Sequence, residues 1–218
     1  GIQENMSFIK YEKSCHLGIL AFNNPKRLNA LDFEVLDEFN STLDIIKEDN
    51  DVYCLIIMGT GNKSFISGGD IKLQNSFDVL SAFKWSDYGQ ECIRKLERLP
   101  IPVIGAINGY ALGGGTEVAL ACDILIASDK AIFSQPEVSL GITPGFGGTQ
   151  RLPRKIGLNK AKELIFTGRR INAEEALQCG LVNKVVPHEK LLDEAINMAE
   201  LIINIFVFTI MDCTAFCI

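Results

Sequence analysis

Two kinds of apolar pattern alternate along the chain. Consecutive apolar residues, which predict buried strands, occur in "VYCLIIMGT", "PVIGAINGY" and "DILIAS". Between them lie segments in which apolar residues return every three or four positions, which predicts amphipathic helices. The clearest such segment has one apolar helical face, made of Phe33, Leu36, Phe39, Leu43 and Ile46. Strands that alternate with helices predict an α/β fold with mainly parallel pairing.

Turn and capping residues indicate the other elements. Two short strands around a turn are predicted in "SFIKYEKSCHLGILAF". Further helices are predicted in "WSDYGQECIRKLERLP", "TEVALAC", "NKAKELIFTG", "AEEALQCG" and "HEKLLDEAINMAELI". Asp32 is a predicted N-cap, and Asn172 with Glu175 resembles a capping box. The glycine-rich segments "GNKSFISGGDIK" and "QPEVSLGITPGFGGTQRL" are predicted to be loops.

Composition is typical of a globular protein. Of the 218 residues, 47% are apolar and 22% charged, which is enough for one sizeable core. We expect that core over 1–190, with 1–6 as a disordered or vector-derived tip, and a helical segment over 191–218. The net charge of −6 argues against binding to nucleic acid or to an anionic membrane. Seven cysteines, mostly in apolar runs, and two histidines predict a cytoplasmic protein with reduced thiols and no zinc site.

Three consecutive glycines, Gly113 to Gly115, stand between a predicted strand and a predicted helix. A dinucleotide-binding loop does not explain them, because it would need a further glycine where Val118 stands. A strand–helix junction exposes unpaired N–H groups, and glycine removes the side chain that would shield them. "SGGD" at 67–70 is a second such place. Either loop alone is better explained as a tight turn, but the two together predict an oxyanion hole.

Two carboxylates accompany these loops. Glu117 falls in the first turn of a predicted helix, where it could simply complement the helix dipole. Glu137 falls in a predicted loop and could be an ordinary surface residue. Both have apolar neighbours, which would raise a carboxyl pKa and prepare the group for proton transfer. The combination predicts amides that hold a developing enolate oxygen and carboxylates that move protons at the adjacent carbons.

Four linked blocks carry a family resemblance: "SFISGGDIK", "IPVIGAINGYALGGGTEVALACDILIAS", "FSQPEVSLGITPGFGGTQRLPRKIG" and "NAEEALQCGLVNKVV". In order and spacing over 7–204, the chain resembles the enoyl-CoA hydratase/isomerase (crotonase) superfamily, and within it the short-chain hydratases. The resemblance implies a spiral of ββα units with a helical C-terminal region. It also implies assembly into homotrimers or dimers of trimers.

The resemblance further implies roles for individual residues. The N–H groups of Gly69 and Gly114 would form the oxyanion hole. Glu117 would act as the base on a water, Glu137 would give a proton to Cα, and the Gly145 amide would help to orient them. The residues implied in coenzyme A binding are Lys26, Arg27, Leu28, Ala30, Asp70 and Ile71. The substrate would be an acyl-CoA thioester, without a metal or redox cofactor.

The end of the chain departs from the family pattern. After Asn204 comes "IFVFTIMDCTAFCI", which is apolar and rich in Phe and Cys where the family has further helices with charged residues. The longer apolar run "LIINIFVFTIMDCTAFCI", which contains Asn204 and Asp212, is too short and too polar to predict a membrane span. The abrupt change in composition predicts an altered terminus after 204.

Several activities remain open on this scaffold. Glutamate at both positions favours hydration of a trans-2-enoyl-CoA to a 3-hydroxyacyl-CoA. An enoyl-CoA isomerase needs only one proton-carrying carboxylate and is the main alternative. A catalytically weak acyl-CoA-binding protein is the third.

Overall fold

The computed structural model describes residues 7–205; the predictions for 1–6 and for the terminus after 205 lie outside the described residues. The strands, in chain order, are β1 (Ile9–Ser14), β2 (Leu17–Phe22), β3 (Cys54–Gly59), β4 (Ser64–Ile66), β5 (Val103–Ile107), β6 (Tyr110–Leu112), β7 (Ile124–Ser128), β8 (Ile132–Ser134), β9 (Ile171–Asn172) and β10 (Lys184–Val186). The helices are α1 (Phe33–Glu48), α2 (Ile71–Gln74), α3 (Val79–Glu97), α4 (Gly114–Leu120), α5 (Gly148–Ile156), α6 (Leu158–Thr167), α7 (Ala173–Gln178) and α8 (Leu191–Asn204). Single 3-10 turns span Pro25–Arg27, Pro136–Leu140 and His188–Lys190.

The strands form two sheets with mainly parallel pairing, as predicted. The six-stranded sheet has the order β1-β2-β3-β5-β7-β10, and only β1 and β2 pair antiparallel. The four-stranded sheet has the order β4-β6-β8-β9, and only β8 and β9 pair antiparallel. In each repeat the chain passes through a long strand of the first sheet, then a short strand of the second, then a helix. This repetition is a spiral of ββα units.

The sequence pattern identified the long elements and the short helices α4 and α7, and missed the three-residue strands β4 and β8. Asp32 caps α1 as predicted, since its Oδ1 accepts a hydrogen bond from the Val35 amide at 3.0 Å. Strands β4, β6 and β8 have three residues each, too few to show a period, and β4 lies inside a segment predicted to be a loop. Helix α5 was predicted to be a loop, because it begins with glycine and contains Pro153.

One helix boundary and one half of a predicted capping box differ from the sequence prediction. Helix α3 begins at Val79, before the predicted start, because Asp78 Oδ1 accepts a hydrogen bond from the Ser81 amide at 2.8 Å. Asn172 caps α7 through a 2.8 Å hydrogen bond from the Glu175 amide. The Glu175 side chain pairs with Lys160 and Arg169 instead of the Asn172 amide, so only the Asn172 half of the predicted capping box forms.

The main hydrophobic core lies between the sheets and the helices, with Phe22, Phe39 and Phe65 among its fully buried side chains. A second cluster lies under α8, whose Ala195 and Ala199 are buried with apolar residues of β3, β5 and β7. The domain boundary at 190 stays a prediction. Within 7–205, no helix has the length and apolar character needed to cross a membrane.

Candidate active site

The candidate site lies where β4, β6 and β8 end. These strands are parallel neighbours, with Ile66 paired to Ala111 and Ala111 paired to Phe133. Three residues beyond Ile66 and Ala111 come Gly69 and Gly114, so the strand register brings the two predicted oxyanion glycines to the same edge. The loops are in close contact: a Cβ added at Gly68 would lie 3.9 Å from the Gly114 nitrogen.

Within residues 7–205, both predicted amide donors lack a hydrogen-bond acceptor. Leu31 donates its N–H to the Gly68 carbonyl at 2.8 Å and accepts one from Asp70 at 2.8 Å, which leaves the Gly69 amide between them unused. The Gly114 amide starts α4 and likewise has no acceptor among residues 7–205. Two adjacent N–H groups without acceptors can bind one oxygen of a ligand.

The glycines at 113 and 115 have separate reasons to be glycine. Gly113 has a φ of 51° and is the N-cap of α4, a backbone conformation that side chains disfavour. A Cβ on Gly115 would lie 2.0 Å from the Ile66 carbonyl oxygen, so α4 packs directly on the backbone of β4. This close approach seats α4 against the loop that carries Gly69.

Gly115→Ala is therefore expected to lower the free energy of unfolding by at least about 2 kcal/mol, within the range for overpacking against an unyielding neighbour. Gly141→Ala is the matched control, because a Cβ there meets nothing within 4 Å and only its φ of 72° is strained. That strain should cost about 1 kcal/mol. Urea denaturation of both variants checks the difference, and equal losses would contradict it.

Glu117 points from α4 to a turn that precedes α5. Its Oε1 accepts hydrogen bonds from the Phe146 amide at 2.9 Å and from the Gly148 amide at 2.7 Å. The residue is only 1% exposed. Burial, and secondarily the charge of Glu137, raises the pKa of Glu117 to about 7, against the opposing effect of the two amides and of Arg151.

Glu137 lies across from it in the Pro136–Leu140 turn. Its Oε1 is close to the glycine run, since a Cβ on Gly113 would be 3.1 Å from it. Its Oε2 is buried and has no hydrogen-bond partner in the described part of the chain. Burial raises the pKa of Glu137 to about 7.

The two carboxyl groups differ in which protonation state their surroundings favour. Two donated N–H bonds stabilise the ionised form of Glu117. An apolar setting without a donor to Oε2 favours the protonated form of Glu137. Both pKa values are about 7, and the hydrogen bonding therefore favours Glu117 as the ionised member of the pair and Glu137 as the protonated one.

The site contains a cavity of about 460 Å³. Both glutamates and the glycine loops line it, and the rest of its wall is largely apolar. The larger apolar side chains are Ile71, Phe77, Trp85, Leu112, Leu140, Ile142 and Phe146. Such a cavity suits an apolar chain that ends in a polar reacting group.

The predicted coenzyme A loop lies beside the site. The Ser67 amide donates to the Leu28 carbonyl at 3.1 Å, which joins the loop to the strand end that carries Gly69. Ala30 follows in the same loop and is half-buried. Lys26 and Arg27 are exposed in the Pro25–Arg27 turn. Their role in coenzyme A binding stays a prediction.

Asp70 has two contacts that the sequence did not reveal. Its Oδ1 accepts the Lys72 amide at 2.9 Å and caps α2, and its Oδ2 pairs with Arg27. Ile71 lines the cavity and is 52% exposed. Gly145 also lines the cavity, and its carbonyl accepts hydrogen bonds from Ser86 at 2.8 Å and from Gln90 at 2.9 Å.

Sequence reasoning missed the groups that hold Glu117. The amides come from Phe146 and Gly148, the neighbours of the predicted Gly145 in "GFGG". Gln135 was also missed: its Nε2 donates to the Gly113 carbonyl at 2.9 Å, at the peptide whose N–H is the Gly114 amide. The glycine-rich composition of this segment was the only sequence signal for such a turn.

Within residues 7–205, two buried carboxyl groups and two amides without acceptors surround one apolar cavity, an arrangement that can support proton transfer next to a developing oxyanion. The family model for enoyl-CoA hydratase/isomerase matches residues 12–210. The chain belongs to the enoyl-CoA hydratase/isomerase family. Its predicted crotonase-like α/β fold is confirmed by an enoyl-CoA hydratase from Bacillus anthracis, which is 39% identical with a TM-score of 0.94 over 96% of this chain and 81% of that one.

Two relatives are similar along most of the chain. A short-chain-enoyl-CoA hydratase of Clostridium acetobutylicum is 47% identical over 88% of this chain and 74% of its own length. A crotonyl-CoA hydratase of Syntrophomonas wolfei is 47% identical over 92% of this chain and 76% of its own length. The resemblance of the sequence to short-chain hydratases is therefore confirmed.

Proposed function

We propose that the protein catalyses the reversible hydration of a short-chain trans-2-enoyl-CoA to a 3-hydroxyacyl-CoA. The observation that carries this proposal is the pair of buried carboxyl groups, Glu117 and Glu137, beside the free amides of Gly69 and Gly114. The two relatives named as enoyl-CoA hydratases support the same reaction.

In the first step, Glu117 removes a proton from a water whose oxygen attacks Cβ of the enoyl group. The π electrons move toward the thioester, whose oxygen gains negative charge. The amides of Gly69 and Gly114 stabilise that charge, and loss of one such donor typically costs about 3 kcal/mol in the transition state. The donors act without reorganisation because the parallel strand register holds both loops.

In the second step, the enolate collapses and Cα takes a proton from Glu137. Its buried setting raises the pKa of Glu137 to about 7, so that a large protonated fraction is available for this step near neutral pH. Glu117 then carries one extra proton and Glu137 lacks one, so proton exchange between them restores the starting state. The hydroxyl of the water ends on Cβ and one hydrogen ends on Cα, and no cofactor enters the balance.

We assign coenzyme A recognition to the loop that contacts the strand end before Gly69. Asp70 and Asp32 offset the charge of Arg27, with Asp32 at 3.4 Å. In the described part of the chain no carboxylate pairs with Lys26, which leaves its ammonium group to meet a phosphate of the ligand. Leu28 and Ala30 would contact the ligand through the backbone of the same loop.

The test is turnover of crotonyl-CoA, followed as loss of the absorbance of the conjugated enoyl group. We expect kcat/KM to be bell-shaped in pH, because Glu117 must be ionised and Glu137 protonated. The two limbs report macroscopic pKa values of the pair. Turnover that rises or falls with pH in a single sigmoid would contradict the two-carboxylate proposal.

A 3-enoyl-CoA assayed beside crotonyl-CoA separates the isomerase alternative. Conversion of the 3-enoyl substrate in preference to hydration would favour the isomerase. Coenzyme A binding without turnover of either substrate would favour a binding protein. Homotrimeric or hexameric assembly, cytoplasmic location and the absence of nucleic-acid binding stay predictions.

A further inference from the structure

Arg151 holds the turn that binds the carboxylate of Glu117. Its Nε donates to Glu97 Oε1 at 3.0 Å and its Nη2 donates to Glu97 Oε2 at 2.7 Å, a two-pronged pairing between α5 and α3. The remaining guanidinium nitrogen, Nη1, donates to the Phe146 carbonyl at 2.9 Å. The Arg151 side chain is only 14% exposed, which limits screening of these contacts by solvent.

The guanidinium packs directly on the turn. A Cβ added at Gly147 would lie 2.2 Å from Arg151 Nη1, and Gly147 has a φ of 99°. The Phe146 and Gly148 amides on either side of Gly147 are the two donors to Glu117 Oε1. One arginine therefore holds the backbone from which both of these hydrogen bonds are made.

Helix α3 holds the same turn from its other end. Ser86 Oγ and Gln90 Nε2 both donate to the Gly145 carbonyl, at 2.8 Å and 2.9 Å. Glu97, at the end of α3, holds Arg151. The turn is thus fixed to one rigid helix both before and after the donor amides.

We propose that Arg151, anchored by Glu97, is a positioning residue that holds the Phe146–Gly148 amides on the carboxylate of Glu117. The role rests on the proposed function, because Glu117 is the base of that reaction. Arg151 touches neither the cavity nor a reacting atom, so its effect passes through the turn.

Charge acts in the same direction as geometry. The charged groups that face Glu117 are Glu137, from the Pro136–Leu140 turn, and Arg151, from α5. The charge of Glu137 raises the pKa of Glu117, and that of Arg151 lowers it. Glu97 partly neutralises Arg151. Removing Arg151 and removing the charge of Glu97 should therefore move the pKa of Glu117 in opposite directions.

Arg151→Gln is expected to lower kcat about 10- to 100-fold, the effect of misplacing a reacting group. We expect KM to change far less, because the acyl-CoA contacts are untouched. The acidic limb of the pH profile should move to higher pH. Arg151→Lys keeps the positive charge but cannot make the paired hydrogen bonds of the planar guanidinium group. The acidic limb of its pH profile should therefore stay near the wild-type position while its kcat remains low.

Glu97→Gln leaves the charge of Arg151 uncompensated, so the acidic limb should move to lower pH with a smaller loss of kcat. Arg169→Gln is the matched control for loss of an ion-paired arginine. Arg169 Nη2 lies 2.5 Å from Glu163 Oε1, and neither residue lines the cavity. It should change stability without moving kcat or the pH profile.

A second readout does not depend on turnover. Titration of the Glu117 carboxyl by NMR, with labelled glutamate side chains and Glu117→Gln for assignment, should show a raised pKa in Arg151→Gln. Wild-type protein without hydratase activity would overturn the proposed function. The titration would still test whether Arg151 holds the Phe146 and Gly148 amides on the Glu117 carboxylate. An unmoved titration overturns the role of Arg151, as does unchanged kcat. If Arg151→Gln does not fold, Arg151→Lys and Glu97→Gln decide by the same criteria.

Discussion

Glu117→Gln is expected to lower kcat for crotonyl-CoA hydration by about 10²- to 10⁴-fold, the usual contribution of a positioned general base. Glutamine has nearly the same shape, and its side-chain oxygen can still accept the Phe146 and Gly148 amides. The turn and the oxyanion hole should therefore persist. What is lost is only the ability to take a proton from water.

Binding of the acyl-CoA is expected to survive this change, which calorimetry with the product can measure. Glu174→Gln is a suitable control, because Glu174 is an exposed residue of α7 away from the cavity. It should leave kcat unchanged. Near-normal turnover in Glu117→Gln would exclude Glu117 as the base.

Glu137→Gln is expected to lower kcat by a similar factor, about 10²- to 10⁴-fold, because an amide cannot supply the proton that Cα receives. The basic limb of the pH profile should disappear in whatever activity remains, since that limb reports the acid. Persistence of a normal bell shape with high turnover would contradict the assignment of Glu137.

The same substitution should change stability in a pH-dependent way. Burial raises the pKa of Glu137 from 4.5 to about 7, so the folded protein holds this proton more tightly than the unfolded chain. Its contribution is most favourable below about pH 4.5 and is lost as pH rises through 7. At pH 8 the ionised group destabilises the wild type by roughly 1–3 kcal/mol.

Glu137→Gln removes that cost, and it should unfold at higher urea concentration than wild type at pH 8. At pH 4 the two proteins should be nearly equal. Glu174→Gln again serves as the control and should shift neither condition. A variant less stable than wild type at pH 8 would show that Glu137 is paired rather than isolated in its ionised form.

Local pattern was sufficient for the long elements. Strands β3, β5 and β7 and helix α1 each bury a continuous run or one apolar face, and such runs are visible without knowledge of their partners. The glycine run and Glu117 are also visible without knowledge of their partners. Ordering consecutive glycines costs conformational entropy, and a carboxylate in an apolar segment costs solvation free energy. The resemblance to known sequences then named the residues around them.

By itself, then, the sequence determined the α/β class, the long strands and helices, the family and the candidate oxyanion and carboxyl groups. Only the tertiary structure decided that Gly69, Gly114 and Glu137 converge, because the three-residue strands that align them exist only through pairing with one another. It likewise decided that Arg151 and Glu97 hold the turn around Glu117. Arg151 and Glu97 are 54 positions apart in the chain, so their contact depends on the tertiary packing of α3 and α5 and not on any local preference.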